Sequence, residues 1–209
     1  MYPSVVLASR SVARRRLLEG AGVVLSACED AALDEDELLR GFADEARGAE
    51  TSESAAAAAA MTLAEMKALR VSARCPGVFV VGGDQIVVRR RGDEREWLGK
   101  PRDLGEAREQ LCGHSGTTSV LVTAAVVARD GERVWGVVER PRAEFRRFSG
   151  AEADAVLGLQ GEETLLAAGS CLFEGAGLGL VSRLEGDFFS LLGLPLLGLL
   201  SFLREQPLS

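Results

Sequence analysis

The sequence predicts a single α/β domain built around a mixed β-sheet. Three observations predict this class: short apolar runs rich in β-branched residues, helix-forming stretches between them, and turn dipeptides that join neighbouring strands. Strands and helices alternate irregularly, without a repeat or a linker, which favours a mixed sheet over a regularly parallel one. A chain of 209 residues is long enough to bury a substantial core, so residues 1–209 are expected to fold as one domain.

The first third of the chain predicts two strands and the strongest helix. Ser4–Ala8 is expected to be a short buried strand, and Val12 opens a helix after serines that can cap it. Val23–Ala27 predicts a second strand, and Asp34 begins an acidic helical stretch. Glu53–Ser72 combines an alanine run with methionine and leucine at helical spacing, so it predicts a long, closely packed helix.

The rest of the chain predicts two hairpins and several further elements. Glycine and aspartate form the turn of each hairpin, a composition that favours tight turns. The hairpins are Ile86–Arg91 with Glu96–Leu98 around Gly92-Asp93, and Thr118–Ala128 with Val134–Glu139 around Asp130-Gly131. The other elements are strand Val78–Val81, helix Leu104–Cys112, strand Ala143–Phe148, a helix with a Ser149/Glu152 capping box, strand Leu178–Leu184 and helix Leu194–Arg204.

Charge and histidine content exclude several classes of function. The formal net charge of −7 argues against a nucleic-acid partner, because binding to the phosphate backbone needs a basic surface. Two arginine clusters, at 14–16 and 89–91, could still bind a small anion. The chain has a single histidine, which makes a multi-histidine zinc site or a histidine base an unfavourable interpretation and leaves carboxylate and metal chemistry.

Cysteine spacing and apolar runs predict a soluble cytoplasmic protein. The four cysteines are far apart and form no CxxC pair, so neither a zinc knuckle nor a disulfide framework is expected. The first apolar stretch precedes the arginines, the reverse of a signal peptide. Phe188–Leu203 contains glycines and a proline and is shorter than the ~20 apolar residues of a spanning helix, so no membrane segment is predicted.

Several charged residues stand where a phosphate chain or a metal could be bound. Asp84 follows an apolar strand and two glycines, a position suited to holding a hard cation or accepting a proton. Lys100, between a glycine and a proline, is a compact cation, and Arg14 lies in the first turns of a helix. Each residue alone is equally consistent with an ordinary turn or a solvated surface, as are Glu35 and Lys67. Their order along the chain is the distinguishing feature.

That order resembles the motifs of the Maf (septum-formation inhibitor) family of nucleoside triphosphate pyrophosphatases, from one end of the chain to the other. The matching segments are Leu7-Ala8-Ser9-Arg10-Ser11-Val12-Ala13-Arg14, Asp34-Glu35, Lys67-Ala68, Gly82-Gly83-Asp84-Gln85, Gly99-Lys100-Pro101, Ala168-Gly169-Ser170, Glu174-Gly175, Glu185-Gly186-Asp187 and Gly193-Leu194-Pro195-Leu196. Because many blocks match in one order, chance similarity is a poor explanation.

The resemblance implies a fold and an activity. The fold would be an elongated domain of the Maf/ITPase-like type, with a twisted mixed sheet, flanking helices and two lobes around a central cleft. The activity would be hydrolysis of a nucleoside triphosphate between its α- and β-phosphates, giving the monophosphate and pyrophosphate. A homodimer is also implied, to which Phe188–Leu203 could contribute, although the same stretch could equally lie entirely in the core. Removal of modified nucleotides and control of cell division both remain open as the physiological purpose.

The resemblance also assigns roles to individual residues. It implies that Glu35 and Asp84 hold Mg²⁺ or Mn²⁺, with Asp84 also orienting or deprotonating the attacking water. Cationic side chains would neutralise the phosphates, namely Arg14, Lys67 and Lys100, with Arg15 as a less certain helper. The residues that would bind the rest of the substrate are Ser9 and Ser11 at the phosphates, and Gln85, Glu174 and Ala13 near the base.

Departures from the family pattern leave alternatives open. Gln85 and Glu174 are typical of the branch that acts on 7-methylguanosine triphosphate, whereas Ala13 lacks the larger side chain usual beside the base. Ser119 and Cys171 also differ from the residues usual at their positions. A pyrophosphatase of the dTTP and UTP type is therefore an alternative. A nucleotide-binding regulator of cell division that has lost turnover is another, and a structural or interaction protein whose polar residues are incidental is a third.

Overall fold

One eight-stranded mixed sheet organises the chain in the computed structural model, which describes residues 1–46, 53–91 and 94–207. The strand order is β2-β1-β3-β5-β7-β8, with β4 paired to β3 and β6 paired to β5. β1 is parallel to both of its neighbours, and the other pairs are antiparallel. The strands are β1 Val5–Ala8, β2 Leu25–Cys28, β3 Phe79–Arg91, β4 Glu94–Leu98, β5 Thr118–Arg129, β6 Glu132–Glu139, β7 Arg142–Phe145 and β8 Val181–Glu185.

Seven α-helices in the described part of the chain flank this sheet. They are α1 Val12–Gly20, α2 Glu35–Ala46, α3 Glu53–Ser72, α4 Leu104–Gly113, α5 Gly150–Gln160, α6 Phe188–Leu191 and α7 Leu196–Arg204. Serine or aspartate side chains cap four of these helices at their N-termini: Ser11, Asp103, Ser149 and Asp187. The capping box predicted at Ser149 and Glu152 is confirmed, as is the long alanine-rich helix α3.

The two longest strands, β3 and β5, form the centre of the sheet and leave a gap on one side of β3. β1 pairs with β3 only as far as Gly82, and β4 pairs with it only from Val87 onwards. Within the described residues, Gly83–Ile86 therefore has a strand neighbour only on its β5 side. This gap opens the middle of the sheet and is where Asp84 lies.

Residues on β3 alternate between two faces, and helix α3 covers one of them. Ile86 and Val88 pack with the alanines of α3, whereas Val87 belongs to a cluster on the opposite face. The helix comes unusually close at Gly82, where a Cβ atom would lie 2.3 Å from the carbonyl oxygen of Ala64. The small side chains of both elements therefore set the distance between this helix and the sheet.

Several predicted boundaries are wrong in ways that matter for the site. The expected strand Val78–Val81 and the hairpin strand Ile86–Arg91 are parts of one continuous strand, so Asp84 lies within β3 instead of after it. Tertiary pairing with β5 through every residue from Val80 to Arg89 overrides the turn-forming tendency of the intervening glycines. The turn predicted at Gly92-Asp93 lies outside the described residues.

Other predicted segments shift by a few residues. Short 3₁₀ helix Ala176–Leu180 occupies the start of the predicted strand Leu178–Leu184, and β8 follows it. The last helix begins after Pro195, because proline lacks an N–H group and suits the entry to a helix better than its interior. Apart from these segments and the two that merge into β3, the predicted strands differ from the observed ones only at their ends.

The apolar stretch Phe188–Leu203 contributes chiefly to the core. Leu191, Leu194, Leu199 and Leu203 are buried among residues of β1, β3 and the neighbouring strands. Its exposed apolar side chains include Leu197, on the outer face of α7. Among the described residues, no helix combines the length and hydrophobicity needed to cross a membrane.

Candidate active site

A cavity of about 510 Å³ opens beside the gap in the sheet. Its volume lies within the range of ~300–1,000 Å³ that is usual for small-molecule sites. Residues from α1, α2, α3, β3 and the segments after β4 and α5 line it, so distant parts of the sequence meet there. All the predicted site residues except Arg15 line this cavity: Ser9, Ser11, Ala13, Arg14, Glu35, Lys67, Asp84, Gln85, Lys100 and Glu174.

A buried lysine joins two carboxylates at the floor of the cavity. Lys67 Nζ lies 2.5 Å from Asp84 Oδ1 and 3.0 Å from Glu35 Oε1, and the lysine is only 3% exposed. Lys100 Nζ lies 3.4 Å from the other Glu35 oxygen, Oε2, and its side chain is half exposed. The structure therefore places acidic and basic groups from α2, α3, β3 and the segment after β4 in one connected cluster.

Local structure explains why these side chains meet. Asp84 shares the even-numbered face of β3 with Ile86, so it points towards α3. Lys67 follows Ala64 by three residues on the buried face of that helix, next to the close contact at Gly82. Glu35 is the first residue of α2, and Asp34 Oδ1 accepts a hydrogen bond from the backbone N–H of Glu37. The position of each side chain thus has a different local cause: alternation along a strand, spacing along a helix, and the start of a helix.

The surrounding charges hold Glu35 in its ionised form. Partial burial acts to raise the pKa of Glu35, but Lys67, Lys100 and Arg14 act in the opposite direction and prevail, so its pKa lies below the ordinary value. Burial likewise lowers the pKa of Arg14, and the nearby carboxylates of Asp84 and Glu35 oppose that shift. The cluster consequently contains ionised groups of both signs in a partly desolvated place, where charges interact strongly.

Arg14 is fixed at the edge of the gap by two hydrogen bonds. Its Nε donates to the carbonyl oxygen of Gly193 at 2.8 Å, and its Nη1 donates to Ser9 Oγ at 3.1 Å. The side chain passes over Gly83, where a Cβ atom would lie 3.2 Å from Arg14 Nε. The guanidinium has five N–H donors in all, so donors remain for an anion in the cavity.

The two serines before α1 accept hydrogen bonds, and neither hydroxyl donates to another group of the described chain. Ser9 Oγ accepts from the backbone N–H of Ser11 at 3.2 Å as well as from Arg14. Ser11 Oγ accepts from the backbone N–H of Arg14 at 3.3 Å and so caps the helix. Hydroxyl protons and a helix N-terminus facing one cavity favour a bound anion.

Adjacent residues of α1 point in different directions. Arg15 is exposed and its Nε pairs with Glu19 Oε1 at 2.9 Å, so the structure does not bring Arg15 to the cavity. Its predicted role in binding substrate has no support from its position. Ala13 does line the cavity, and its small side chain leaves space there.

Gln85 and Glu174 line the cavity in different surroundings, one held by hydrogen bonds and the other exposed. Gln85 Nε2 donates to Thr123 Oγ1 at 2.8 Å and to the carbonyl oxygens of Ser190 and Leu191 at 3.1 and 3.3 Å. Because Nε2 makes all three bonds, the amide oxygen of Gln85 points away from Thr123, Ser190 and Leu191. Glu174 is exposed. Both therefore present oxygen acceptors rather than donors.

Three functional contacts escaped the sequence analysis. Thr123 anchors Gln85 and also donates to the Ser190 carbonyl oxygen at 2.8 Å, and Gly193 supplies the carbonyl that fixes Arg14. For the contact between Thr123 and Gln85, the available signal in the sequence was a threonine within the apolar run of β5. The carbonyl contacts carried no signal, because any residue has a carbonyl group.

Two positions that depart from the family pattern have distinct surroundings. Ser119 is fully buried and its Oγ lies 2.9 Å from His114 Nδ1, outside the main cavity. Cys171 lines the cavity but is itself buried, and desolvation followed by the charge of Glu174 raises the pKa of its thiol to about 12. The thiol is therefore protonated and acts as a packing group.

Comparison with known proteins agrees with the geometry of this cavity. Residues 4–206 match the sequence pattern described as Maf-like protein. The chain belongs to the Maf-like protein family. Among its relatives, the nucleoside triphosphate pyrophosphatase of Paramagnetospirillum magneticum is 42% identical over 201 residues, covering 96% of this chain and 97% of that protein.

Other members of the family are similar over comparable lengths. The nucleoside triphosphate pyrophosphatase of Rhodospirillum rubrum is 43% identical, with 99% of this chain and 96% of the relative covered. The 7-methyl-GTP pyrophosphatase of Rhizobium meliloti is 39% identical, with 98% and 97% covered. The resemblance inferred from the motifs is thus confirmed along the chain, together with the mixed α/β fold.

Proposed function

We propose that this Maf-like chain hydrolyses a nucleoside triphosphate between its α- and β-phosphates, releasing the monophosphate and pyrophosphate. The observation that carries the proposal is the Glu35–Lys67–Asp84 cluster on the wall of a nucleotide-sized cavity. Relatives that share about 40% of their residues with this chain are named for the same reaction. A cavity that presents both carboxylates and cations suits a substrate that is itself polyanionic and binds cations.

The cations of the site would hold the phosphate chain and stabilise the charge that develops on it. Arg14, the residues at the N-terminus of α1 and Lys100, which is paired with Glu35, all line the cavity. Ser9 and Ser11 would donate their free hydroxyl protons to phosphate oxygens. As the bond to the β-phosphate breaks, negative charge moves to the leaving pyrophosphate, where fixed positive groups stabilise it most effectively.

Asp84 is the residue proposed to orient the attacking water and accept its proton. Its Oδ1 accepts from Lys67, and among the described residues its Oδ2 forms no hydrogen bond to another protein group. A carboxylate held by one oxygen keeps the other for water in the cavity. Lys67 would fix the carboxylate while remaining close enough to contact the substrate phosphates.

The acidic residues also suit a divalent cation, proposed to be Mg²⁺ or Mn²⁺ held by Glu35 and Asp84. Mg²⁺ is typically bound by one or two carboxylates together with substrate phosphates and water. The described residues offer this pair and no cluster of three potential metal ligands, a donor set that fits an ion arriving with the triphosphate. When bound, such an ion would polarise the phosphates and lower the pKa of coordinated water.

The base proposed for the preferred substrate is 7-methylguanine. Gln85 offers its amide oxygen and Glu174 its carboxylate, and both accept hydrogen bonds. Guanine presents a ring N–H and an amino group as donors, and methylation at N7 adds positive charge that a carboxylate favours. The space beside Ala13 accommodates a large base. A relative named 7-methyl-GTP pyrophosphatase supports the same choice.

Two further proposals concern the setting of the enzyme. We infer that it works in the reducing cytoplasm, a location supported by four cysteines that are all free thiols. A homodimer remains a proposal, and sedimentation of the purified chain tests it directly. The exposed Leu197 and Phe188 are the apolar side chains of the terminal stretch that such a contact could use.

Pyrophosphate release from a nucleotide panel tests the function. Wild-type protein should release pyrophosphate from 7-methyl-GTP faster than from dTTP, UTP or CTP in the presence of Mg²⁺ or Mn²⁺. Asp84→Asn should lower kcat by ~10²–10³-fold, because it removes the carboxylate charge from the reacting centre. Asp154→Asn, which alters an exposed carboxylate paired with Arg108, is the matched control and should retain wild-type rates.

Each alternative outcome has a definite meaning. A strong preference for dTTP and UTP would overturn the assignment of Gln85 and Glu174 to a guanine-type base. Nucleotide binding without product would favour a regulator that lacks turnover. Normal pyrophosphate release by Asp84→Asn would remove Asp84 from the reaction altogether.

A further inference from the structure

A strained loop connects the wall of the cavity to a buried polar network. The loop, Ala168–Ser170, contains two consecutive residues with positive φ, Gly169 at 70° and Ser170 at 62°. A non-glycine residue in the left-handed region is strained, and it persists only where surrounding contacts hold it. The hydrogen bonds around this loop therefore reveal what holds it in place.

Buried side chains bind the loop from three sides. Ser170 Oγ donates to Gln110 Oε1 at 2.7 Å, and Gln160 Nε2 donates to the Ser170 carbonyl oxygen at 3.2 Å. His114 Nε2 lies 3.0 Å from the Gly169 carbonyl oxygen, and its ring stacks on Phe145 with centroids 4.5 Å apart. The loop is thus fixed by residues that do not touch the cavity.

A carbonyl oxygen can only accept a hydrogen bond, so the contact with Gly169 requires a proton on His114 Nε2. Burial, followed by the positive charge of Arg89, lowers the pKa of His114 to about 3, so the ring is neutral under ordinary conditions. In this neutral ring, Nδ1 accepts a hydrogen bond from the Ser119 hydroxyl group at 2.9 Å, and Nε2 donates one to the Gly169 carbonyl oxygen. Each ring nitrogen therefore has one defined partner.

The same loop is bonded directly to the segment that carries Lys100. The backbone N–H of Gly169 donates to the carbonyl oxygen of Gly99 at 3.1 Å, one residue before Lys100. On its other side, Gly99 packs against α2, where an added Cβ atom would lie 2.9 Å from Leu39 Cδ2. Gly169 consequently links His114, through its carbonyl oxygen, to the main chain beside Lys100, through its N–H group.

We propose that His114 is a positioning residue for Lys100, acting through the backbone of Gly169. Its Nε2–H group holds the Gly169 carbonyl, and the N–H group of the same residue, in the preceding peptide bond, fixes the Gly99 carbonyl and hence the base of the lysine side chain. The role rests on the proposed pyrophosphatase function. It differs from that function in assigning to the single histidine of the chain a task that involves neither substrate contact nor proton transfer.

A pair of substitutions separates the hydrogen bond from the shape of the ring. His114→Phe keeps a ring that can stack on Phe145 but removes both bonds, whereas His114→Gln keeps an N–H donor near the position of Nε2. We expect His114→Phe to lower kcat/KM by about ten- to a hundredfold, the range for a small misplacement of a charged group. His114→Gln should restore the value to within about threefold of wild type, because the donor is regained.

Coupling to Lys100 tests the route of the effect. In a Lys100→Ala background, His114→Phe should lower kcat/KM by less than about twofold, since residues acting through one group are not additive. Equal losses in both backgrounds would overturn the proposal and indicate a general effect on the cavity. Ser72→Ala, which removes a buried hydroxyl bonded to the Gly131 N–H far from the loop, controls for lost stability and should leave kcat/KM unchanged.

Hydrogen exchange supplies a readout that does not depend on activity. In His114→Phe the Gly169 amide should exchange at least about tenfold faster than in wild type, whereas Ser72→Ala should not alter its exchange. Unchanged protection of the Gly169 amide in His114→Phe would overturn the proposal. If wild-type protein released no pyrophosphate, the proposed function would fail, but this measurement would still decide whether His114 holds the loop.

Discussion

Lys67 lies between two carboxylates that a divalent ion would also use. Its Nζ lies 3.0 Å from Glu35 Oε1 and 2.5 Å from Asp84 Oδ1, so an ion sharing both residues would compete with this ammonium group. A bound triphosphate offers Lys67 other anionic oxygens and brings further ligands for the ion. Metal and nucleotide should therefore bind with positive coupling.

Replacing Lys67 by methionine tests this competition. Lys67→Met removes the positive charge beside the carboxylate pair, so we expect Mn²⁺ to bind at least about tenfold more tightly without nucleotide, equivalent to ~1.4 kcal/mol. Electron paramagnetic resonance titration of free Mn²⁺ measures the affinity. Lys100→Met is the matched control and should have a smaller effect, because its half-exposed ammonium lies 3.4 Å from Glu35 and, among the described residues, forms no ion pair with Asp84. Unchanged Mn²⁺ affinity in Lys67→Met would contradict the argument.

Individual residues also show where sequence information stops. Most of the charged residues picked out by the motifs line the cavity, but Arg14 and Arg15 are neighbours of the same type, and only their rotation about α1 separates them. The orientation of the Gln85 amide depends on Thr123 and Ser190, which are 38 and 105 residues away in the chain. Such long-range partners follow from packing and cannot be deduced from local pattern.

Among the elements, the contact between α3 and β3 determines the geometry of the site. Asp84 comes from the strand and Lys67 from the helix, and the two elements meet at Gly82. A methyl group at Gly82 would lie 2.3 Å from the Ala64 carbonyl oxygen and 2.9 Å from Ala68 Cβ, so backbone would have to move. The absence of a side chain at Gly82 therefore allows the short distance between Asp84 and Lys67.

Gly82→Ala should displace the helix and weaken the fold. We expect a loss of about 1–3 kcal/mol in the free energy of unfolding, the usual cost of overpacking, measured by urea denaturation. Gly136→Ala is the matched control in β6, where the nearest atoms would be in ordinary contact at 3.5 Å, and it should change stability by less than ~0.5 kcal/mol. Equal stability of the two variants would mean that this contact does not set the position of α3.

The predicted elements succeeded where local signals govern structure and failed where pairing does. Helix α3 was predicted at its observed bounds because alanine content and helical spacing act locally. In β3, the glycines before Asp84 resemble a turn, yet pairing with β5 keeps the chain extended through them. The gap beside Gly83–Ile86, which creates the cavity, depends on where two separate strands end, and single-strand patterns carry no information about it.

For the whole molecule, the single histidine is the side chain whose ordinary pKa lies in the pH range from 7 to 5. His114 is 1% exposed and its pKa is lowered to about 3 from an ordinary 6.5, mainly by burial and then by Arg89. Carboxylates with lowered pKa values, such as Glu35 and Glu152, titrate below an ordinary value of 4.5 and remain charged across that range. His114 therefore dominates the expected pH dependence of stability there.

The direction of this dependence follows from proton binding. Between pH 6.5 and 3 the unfolded chain protonates His114 whereas the folded chain does not, so falling pH favours unfolding. Lowering the pH from 7 to 5 should reduce the free energy of unfolding by about 2 kcal/mol, since each pH unit inside the window contributes ~1.4 kcal/mol. Urea denaturation at several pH values measures the slope. His114→Gln and His114→Phe carry no titrating group at this position and should show a nearly flat response, and a wild-type slope retained in both would show that the pH dependence comes from other groups.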